Sequence, residues 1–180
     1  AGNPETFEAA ARAGAGVLTH LLGQSVEELA TKIAAYRAAW RATGREGAGH
    51  VVLMLHALVS DDDAFVRRTV RQPLMDYLRT SIDLVKPFAE SFPTFAARAS
   101  GQNPSEIFAS LSEEDYDALV EHSFERYYET SGLFGRPETC LATIDRLKTI
   151  GVDEVACLID FGVETDVVLA NLPYLAALRH

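Results

Sequence analysis

Positive charge is scarce in this chain. Sixteen Lys and Arg stand against 26 Asp and Glu over 180 residues, a formal charge of −10, whereas a surface that grips nucleic acid or anionic lipid needs clustered basic groups. The expected partners are therefore small molecules and proteins, with no nucleic acid and no membrane. Cysteine is almost missing as well. Cys140 falls in a helical pattern and Cys157 in a strand pattern, and neither has the spacing of a metal-ligand set or a disulfide framework. Buried free thiols fit a reducing compartment, so the expected location is cytoplasmic. No apolar run approaches the roughly 20 residues of a membrane helix, and no basic-then-apolar leader opens the sequence.

What the chain does contain is a repeat. Gly2-Asn3-Pro4-Glu5-Thr6 opens a helical pattern that passes Gly14 and Gly16 into a strand-like run at 17–23. Gly135-Arg136-Pro137-Glu138-Thr139 opens another, which passes Gly151 into a second run at 154–162. Each copy is a glycine turn, a proline at the first helical position, a helix, a glycine exit and a buried strand, or half of a strand-helix-strand crossover. The chain thus begins inside such a unit. Residues 51–59 form a third strand, too short and too rich in Val and Leu for a helix. Ser25-Val26-Glu27-Glu28 is a capping box for a helix expected to reach about Thr43, before Gly44 and Gly47. Asp61, Asp62 and Asp63 place negative charge at the start of the next helix. Pro73 is expected to interrupt or kink that helix, which resumes through Tyr77 and Ile82 and stops near Lys86. Residues 87–111 read as a polar excursion with a short helix from Pro104. A helix from Ser112 to about Glu129 follows, and Pro173 is expected to break the last one.

With 48% apolar residues the chain can bury one core, and 1–180 reads as part of a single domain. Strands separated by helices are parallel and joined by right-handed crossovers. Three such strands make a poor free-standing sheet, because parallel sheets are normally covered on both faces and seldom leave two apolar edges open. The expected fold class is α/β: the C-terminal part of a (β/α)8 barrel, about three parallel strands with covering helices, completed by a missing N-terminal barrel half. A small open α/β domain is the alternative.

Alternate residues of a strand share a face. Leu18, His20 and Leu22 share one, as do Val52, Met54 and His56, and Ala156, Leu158 and Asp160. If these faces point inward, His20, His56 and Asp160 converge at the C-terminal mouth, where barrel enzymes keep their active sites. His56 interrupts a buried apolar run and must find a partner or carry a desolvation cost. His20 also reads as an ordinary strand-end group and Asp160 as a turn or capping residue. A second candidate is the first turn of the chain. Gly2 lets backbone approach a ligand, Asn3 caps, Pro4 sets the first helical turn and Thr6 offers a hydroxyl beside free amides, an arrangement that suits phosphate. The same residues make a plain helix start. Two histidines and a carboxylate also match a metal-dependent hydrolase, but no His-x-His spacing accompanies them and no metal is expected.

Asn3 to Phe7, Val17-Leu18-Thr19-His20-Leu21-Leu22-Gly23-Gln24, the run from Val51 to His56, and the stretch from Thr139 to Gly162 together resemble the bacterial-luciferase-like flavin monooxygenases. The closest likeness is to the mupirocin-type branch, which is often embedded in polyketide and nonribosomal-peptide assembly lines. The resemblance implies an eightfold barrel whose last three strands lie here. It also implies a phosphate-binding turn at Gly2, Asn3 and Thr6, with Asn3 where family members often carry Ser, and positions beside a flavin ring near His20 and at His56. The implied cofactor is reduced FMN, delivered by a separate NAD(P)H-dependent flavin reductase and used to activate oxygen. The implied substrate is a small molecule or an acyl or peptidyl chain on a carrier protein. On this reading His56 hydrogen-bonds or handles protons, His20 supports it and Asp160 orients substrate. A non-catalytic barrel remnant serving as an interaction module would share every motif without binding FMN.

Overall fold

A computed structural model describes residues 2–80 and 111–179. The first helix, α1 (Pro4–Ala13), starts and stops on local chemistry. The Asn3 side chain accepts from the Thr6 amide at 2.9 Å, and Gly14 leaves the helix in the left-handed region at φ 73°. After β1 (Val17–His20) comes α2 (Val26–Ala42). Its capping box is complete: the Glu28 amide donates to Ser25 Oγ at 3.1 Å and the Ser25 amide to the Glu28 carboxylate at 2.7 Å. The chain continues through β2 (Val51–Val59), α3 (Asp63–Thr80), α4 (Glu113–Thr130), β3 (Leu133–Gly135), α5 (Pro137–Thr149), β4 (Glu154–Leu158) and α6 (Thr165–Ala176).

Neither proline interrupts its helix. Pro73 lies inside α3 and Pro173 inside α6, and both helices run through. A proline in a helix interior costs about 3 kcal/mol. In α3 that cost is set against the burial of Val66, Val70, Leu74, Met75 and Leu78, each contributing about 1.5–3 kcal/mol. The expected end near Lys86, the excursion from 87 onward and its helix from Pro104 lie outside the described residues.

The three expected strands are present and parallel, and a short fourth joins them. β2 is the hub. It pairs with β1 from Val17↔Val51 to His20↔Met54 and with β4 from Val52↔Glu154 to His56↔Leu158. β3 takes the last three residues of β2, from Ala57↔Leu133 to Val59↔Gly135, which β4 does not reach. At three residues, β3 is too brief to produce a period in the sequence, where only its terminal Gly135 turn is visible. Strands β1 and β4 also end sooner than their apolar runs suggest, at His20 and Leu158.

The register sets the faces. Val17, Val51, Leu53 and Leu55 are buried in one core with Phe7 of α1, Leu29, Ile33 and Tyr36 of α2, and Cys140 and Leu147 of α5. The opposite face is largely uncovered at its start, with Leu18 56% exposed and Val52 and Met54 half-buried. Its C-terminal end is roofed by a second core of α3 and α4 residues with Leu58, Phe134 and Phe161. Ion pairs Arg67–Glu125, Arg71–Glu121 and Arg79–Asp117 tie α3 to α4, and the Arg67 guanidinium lies 4.7 Å from the centre of the Tyr128 ring.

Candidate functional site

His56 lies under this roof. It occupies the sixth position of β2, on the same face as Met54 and beside Leu158 of β4, and is 1% exposed. Nδ1 is 2.8 Å from the Tyr127 hydroxyl of α4. The rings of Tyr77, Tyr127 and Phe161 meet the imidazole edge-on, with centroids 4.7, 5.5 and 5.1 Å away. Nε2 is buried and has no hydrogen-bond partner among the described residues. Burial lowers the imidazole pKa to about 4, so the ring is neutral at physiological pH.

His20 closes β1 in register with Met54. Strand spacing and rise place its Cα about 8 Å from that of His56, on the same face. Its Nδ1 is also buried without a partner among the described residues. Desolvation by burial is the main effect that lowers its pKa. Asp160 does not join the pair through the sheet. It lies two residues beyond the end of β4 and is exposed, so the register that aligns the histidines does not extend to it.

The first turn is built as a helix start with space outside it. The Thr6 hydroxyl donates to Asn3 Oδ1 at 2.6 Å, which commits its proton inside the turn. Gly2 has open space where a Cβ would be, so no packing among the described residues demands glycine there. Lys32 of α2 reaches across, its Nζ donating to the Gly2 carbonyl at 2.8 Å and to Gln24 Oε1 at 2.7 Å. Gln24 in turn donates to the His20 carbonyl. One chain of hydrogen bonds therefore connects the turn, a fixed ammonium and the end of β1. The equivalent turn of the second repeat is closed. There the Arg136 amide donates to Asp63 Oδ1 at 2.9 Å, and Arg136 has no side-chain cap of its own.

Lys32, Gln24, Tyr77, Tyr127 and Phe161 are not among the candidate site residues that the sequence offers. Tyr127 is 71 residues from His56, and no local period links them. Lys32 reads as one more solvent-facing helix residue until the fold brings it to Gly2. Among the described residues no group of three His, Cys, Asp or Glu side chains could hold a metal ion, and no helix is long and apolar enough to cross a membrane. A cavity of about 680 Å³ lined by Leu147, Val152, Cys157, Leu172, Leu175 and Leu178 lies on the helix-covered side of β4, away from the histidine face.

The family model for luciferase-like monooxygenases matches residues 1–154. No curated protein matches the sequence. Among solved structures the chain is similar to a monooxygenase from Streptomyces bottropensis, at 18% identity and a TM-score of 0.59, covering 97% of this chain and 44% of that one. It is similar to the coenzyme F420 dependent tetrahydromethanopterin reductase from Methanopyrus kandleri, at 13% identity and a TM-score of 0.59, covering 99% and 50%. A third likeness is to the oxygenating constituent of 3,6-diketocamphane monooxygenase from Pseudomonas putida, a complex with FMN, at 16% identity and a TM-score of 0.53, covering 85% and 38%. These likenesses are of fold: parallel strands and helices arranged as in part of a (β/α)8 barrel. The chain spans half or less of the length of each of these structures.

Proposed function

Because the chain belongs to the luciferase-like monooxygenase family, we propose that it forms the C-terminal part of a flavin-dependent monooxygenase that uses reduced FMN and dioxygen to oxygenate an organic substrate. The observation that carries this reading is the open first turn with the Lys32 ammonium fixed beside it. A helix N-terminus presents partial positive charge, and a neighbouring ammonium adds a full one, which suits the phosphate of FMN. The two orphaned imidazole nitrogens on one sheet face fit the polar edge of a ring system.

When bound, reduced FMN supplies the electrons and the oxygen-activating chemistry. The residues of this chain do the rest. Lys32 and the positive end of α1, in the turn that Gly2 leaves open and the hydrogen bonds between Asn3 and Thr6 brace, hold the phosphate end. His56, neutral and enclosed by aromatic rings, offers a hydrogen bond in a dry setting where such a bond is strong, and the same enclosure keeps water from the reacting atoms. His20 supports it from the adjacent strand, and Asp160, exposed past β4, is left the outlying role of orienting substrate. The finer parts of the proposal are a separate flavin reductase as electron source, a substrate that is small or carried as an acyl or peptidyl chain on a carrier protein, and membership of the mupirocin-type branch in an assembly line. They rest on the sequence resemblance.

Equilibrium binding of oxidised and reduced FMN to the full natural chain tests the core of this reading. Lys32→Met is expected to weaken binding about tenfold, the loss of one charge-assisted contact, with little change in stability. Absence of FMN binding, or binding indifferent to both Lys32→Met and His56→Ala, would overturn it.

A further inference from the structure

We propose that Tyr127 is a positioning residue that fixes His56 as a hydrogen-bond donor, holding its single ring proton on Nε2 for a lone-pair acceptor on the bound ligand. A neutral imidazole has one N–H and one acceptor nitrogen, and a phenol has one O–H. Nδ1 lies 2.8 Å from the Tyr127 hydroxyl, and no other hydrogen bond involves that hydroxyl among the described residues.

Two arrangements satisfy the contact. If Tyr127 donates to Nδ1, the ring proton sits on Nε2 and is the one buried donor left unmet. If Nδ1–H donates to Tyr127 instead, the phenolic proton loses its acceptor and the Nε2 lone pair is unmet as well. The first leaves fewer buried polar groups without partners. Burial raises the Tyr127 pKa, so the phenol keeps the proton it must donate. The edge-on rings of Tyr77, Tyr127 and Phe161 fix the plane of the imidazole, and turning the ring over within that plane would put Cδ2 against the Tyr127 hydroxyl and lose the hydrogen bond.

The consequence is chemical selectivity. An Nε2–H donor takes a carbonyl oxygen or an unprotonated ring nitrogen. It does not take a metal ion, which needs the nitrogen lone pair. Identifying the acceptor with an edge atom of the flavin rests on the function proposed above, but the tautomer does not.

Long-range proton–nitrogen spectra of the full natural chain with nitrogen-15 histidine test the two parts separately. The His56 signals are assigned by their loss in His56→Gln. The expected result is one tautomer, with Nδ1 in the unprotonated range and Nε2 in the protonated range. Tyr127→Phe, which keeps the ring packing, is expected to populate both tautomers and draw the two nitrogen shifts together. Tyr77→Phe is expected to leave them apart. A protonated Nδ1 in the unsubstituted protein overturns the proposal even if Tyr127→Phe does not fold. So does a Tyr127→Phe spectrum unchanged from the parent, or a Tyr77→Phe effect as large as that of Tyr127→Phe. Titration with oxidised FMN then reads the acceptor. A shift at Nε2–H that saturates with binding supports the flavin edge, and FMN binding without that shift overturns it. Failure to bind FMN with the tautomer intact overturns the flavin reading and leaves the role of Tyr127 standing.

Discussion

The chain contains two turns of nearly the same sequence, Gly2-Asn3-Pro4-Glu5-Thr6 and Gly135-Arg136-Pro137-Glu138-Thr139, and the fold treats them in opposite ways. At the first, the cap is local, supplied by Asn3, and the distant side chain that arrives is a cation, Lys32. At the second, Arg136 supplies no cap, and the side chain that arrives is an anion, Asp63 of α3. Helix N-termini favour negative charge. The second turn already has its anion and serves as a strut between α3 and α5. The first has its own Glu5, and the charge brought to it from elsewhere in the fold is the positive one of Lys32. A turn motif alone therefore does not make a binding site; the group that the rest of the fold delivers to it decides.

The largest expected break in this contrast is Gly135→Ala. Gly135 sits at φ 116°, and an added Cβ would stand 2.8 Å from Asp63 Oδ1, so the substitution should strain the backbone and push the carboxylate away, at a cost of about 3 kcal/mol. Thermal melting checks this, with Gly2→Ala, which adds its methyl to open space, as the counterpart that should stay within about 0.5 kcal/mol.

The difference between a group with a charged neighbour and one without extends to the imidazoles. The His50 ring has the Glu154 carboxylate at 3.1 Å. His56 has the neutral Tyr127 hydroxyl, and burial lowers its pKa to about 4. Because the unfolded chain takes up that proton near 6.5 and the folded chain only near 4, folding stability falls as pH drops through this window, by about 3 kcal/mol in full. Urea midpoints at pH 7 and pH 4.5 should show a smaller acid loss in His56→Gln than in the parent, and equal losses would contradict the assignment. Asp63→Ala, which strips the second turn of its anion, should cost about 2 kcal/mol in the same assay. Asn3→Ala, which removes only a local cap, should cost about 1 kcal/mol, and a reversed order of these two would undo the comparison.

Much of the fold is legible along the chain because it depends on near neighbours. Ser25 and Glu28 announce α2, Asn3 and Pro4 announce α1, and β2 stands out because eight of its nine residues are apolar and only His56 interrupts them. The shared phase of His20 and His56 follows from strand alternation and is kept by the register. What escapes is set by distance. The continuity of α3 through Pro73 depends on packing against a core drawn from α4 and the segment after β4. The place of Asp160 beyond the strand follows from β4 ending with its pairing to β2, which no apolar run can signal. Lys32 and Tyr127 gain meaning only when helices far apart in sequence meet a turn and a strand.

The central place of β2 also sets the order in which the molecule can assemble. Its pairing with β1 closes a short loop through α2. Its pairing with β4, fixed at one end by the Val51 amide on Asp153 across 102 residues, must wait for a much longer closure, and contacts of such separation slow folding. The seam between β2 and β4 should therefore form late in refolding, and the enclosure of His56, which draws Phe161 from beyond β4, should be completed with it.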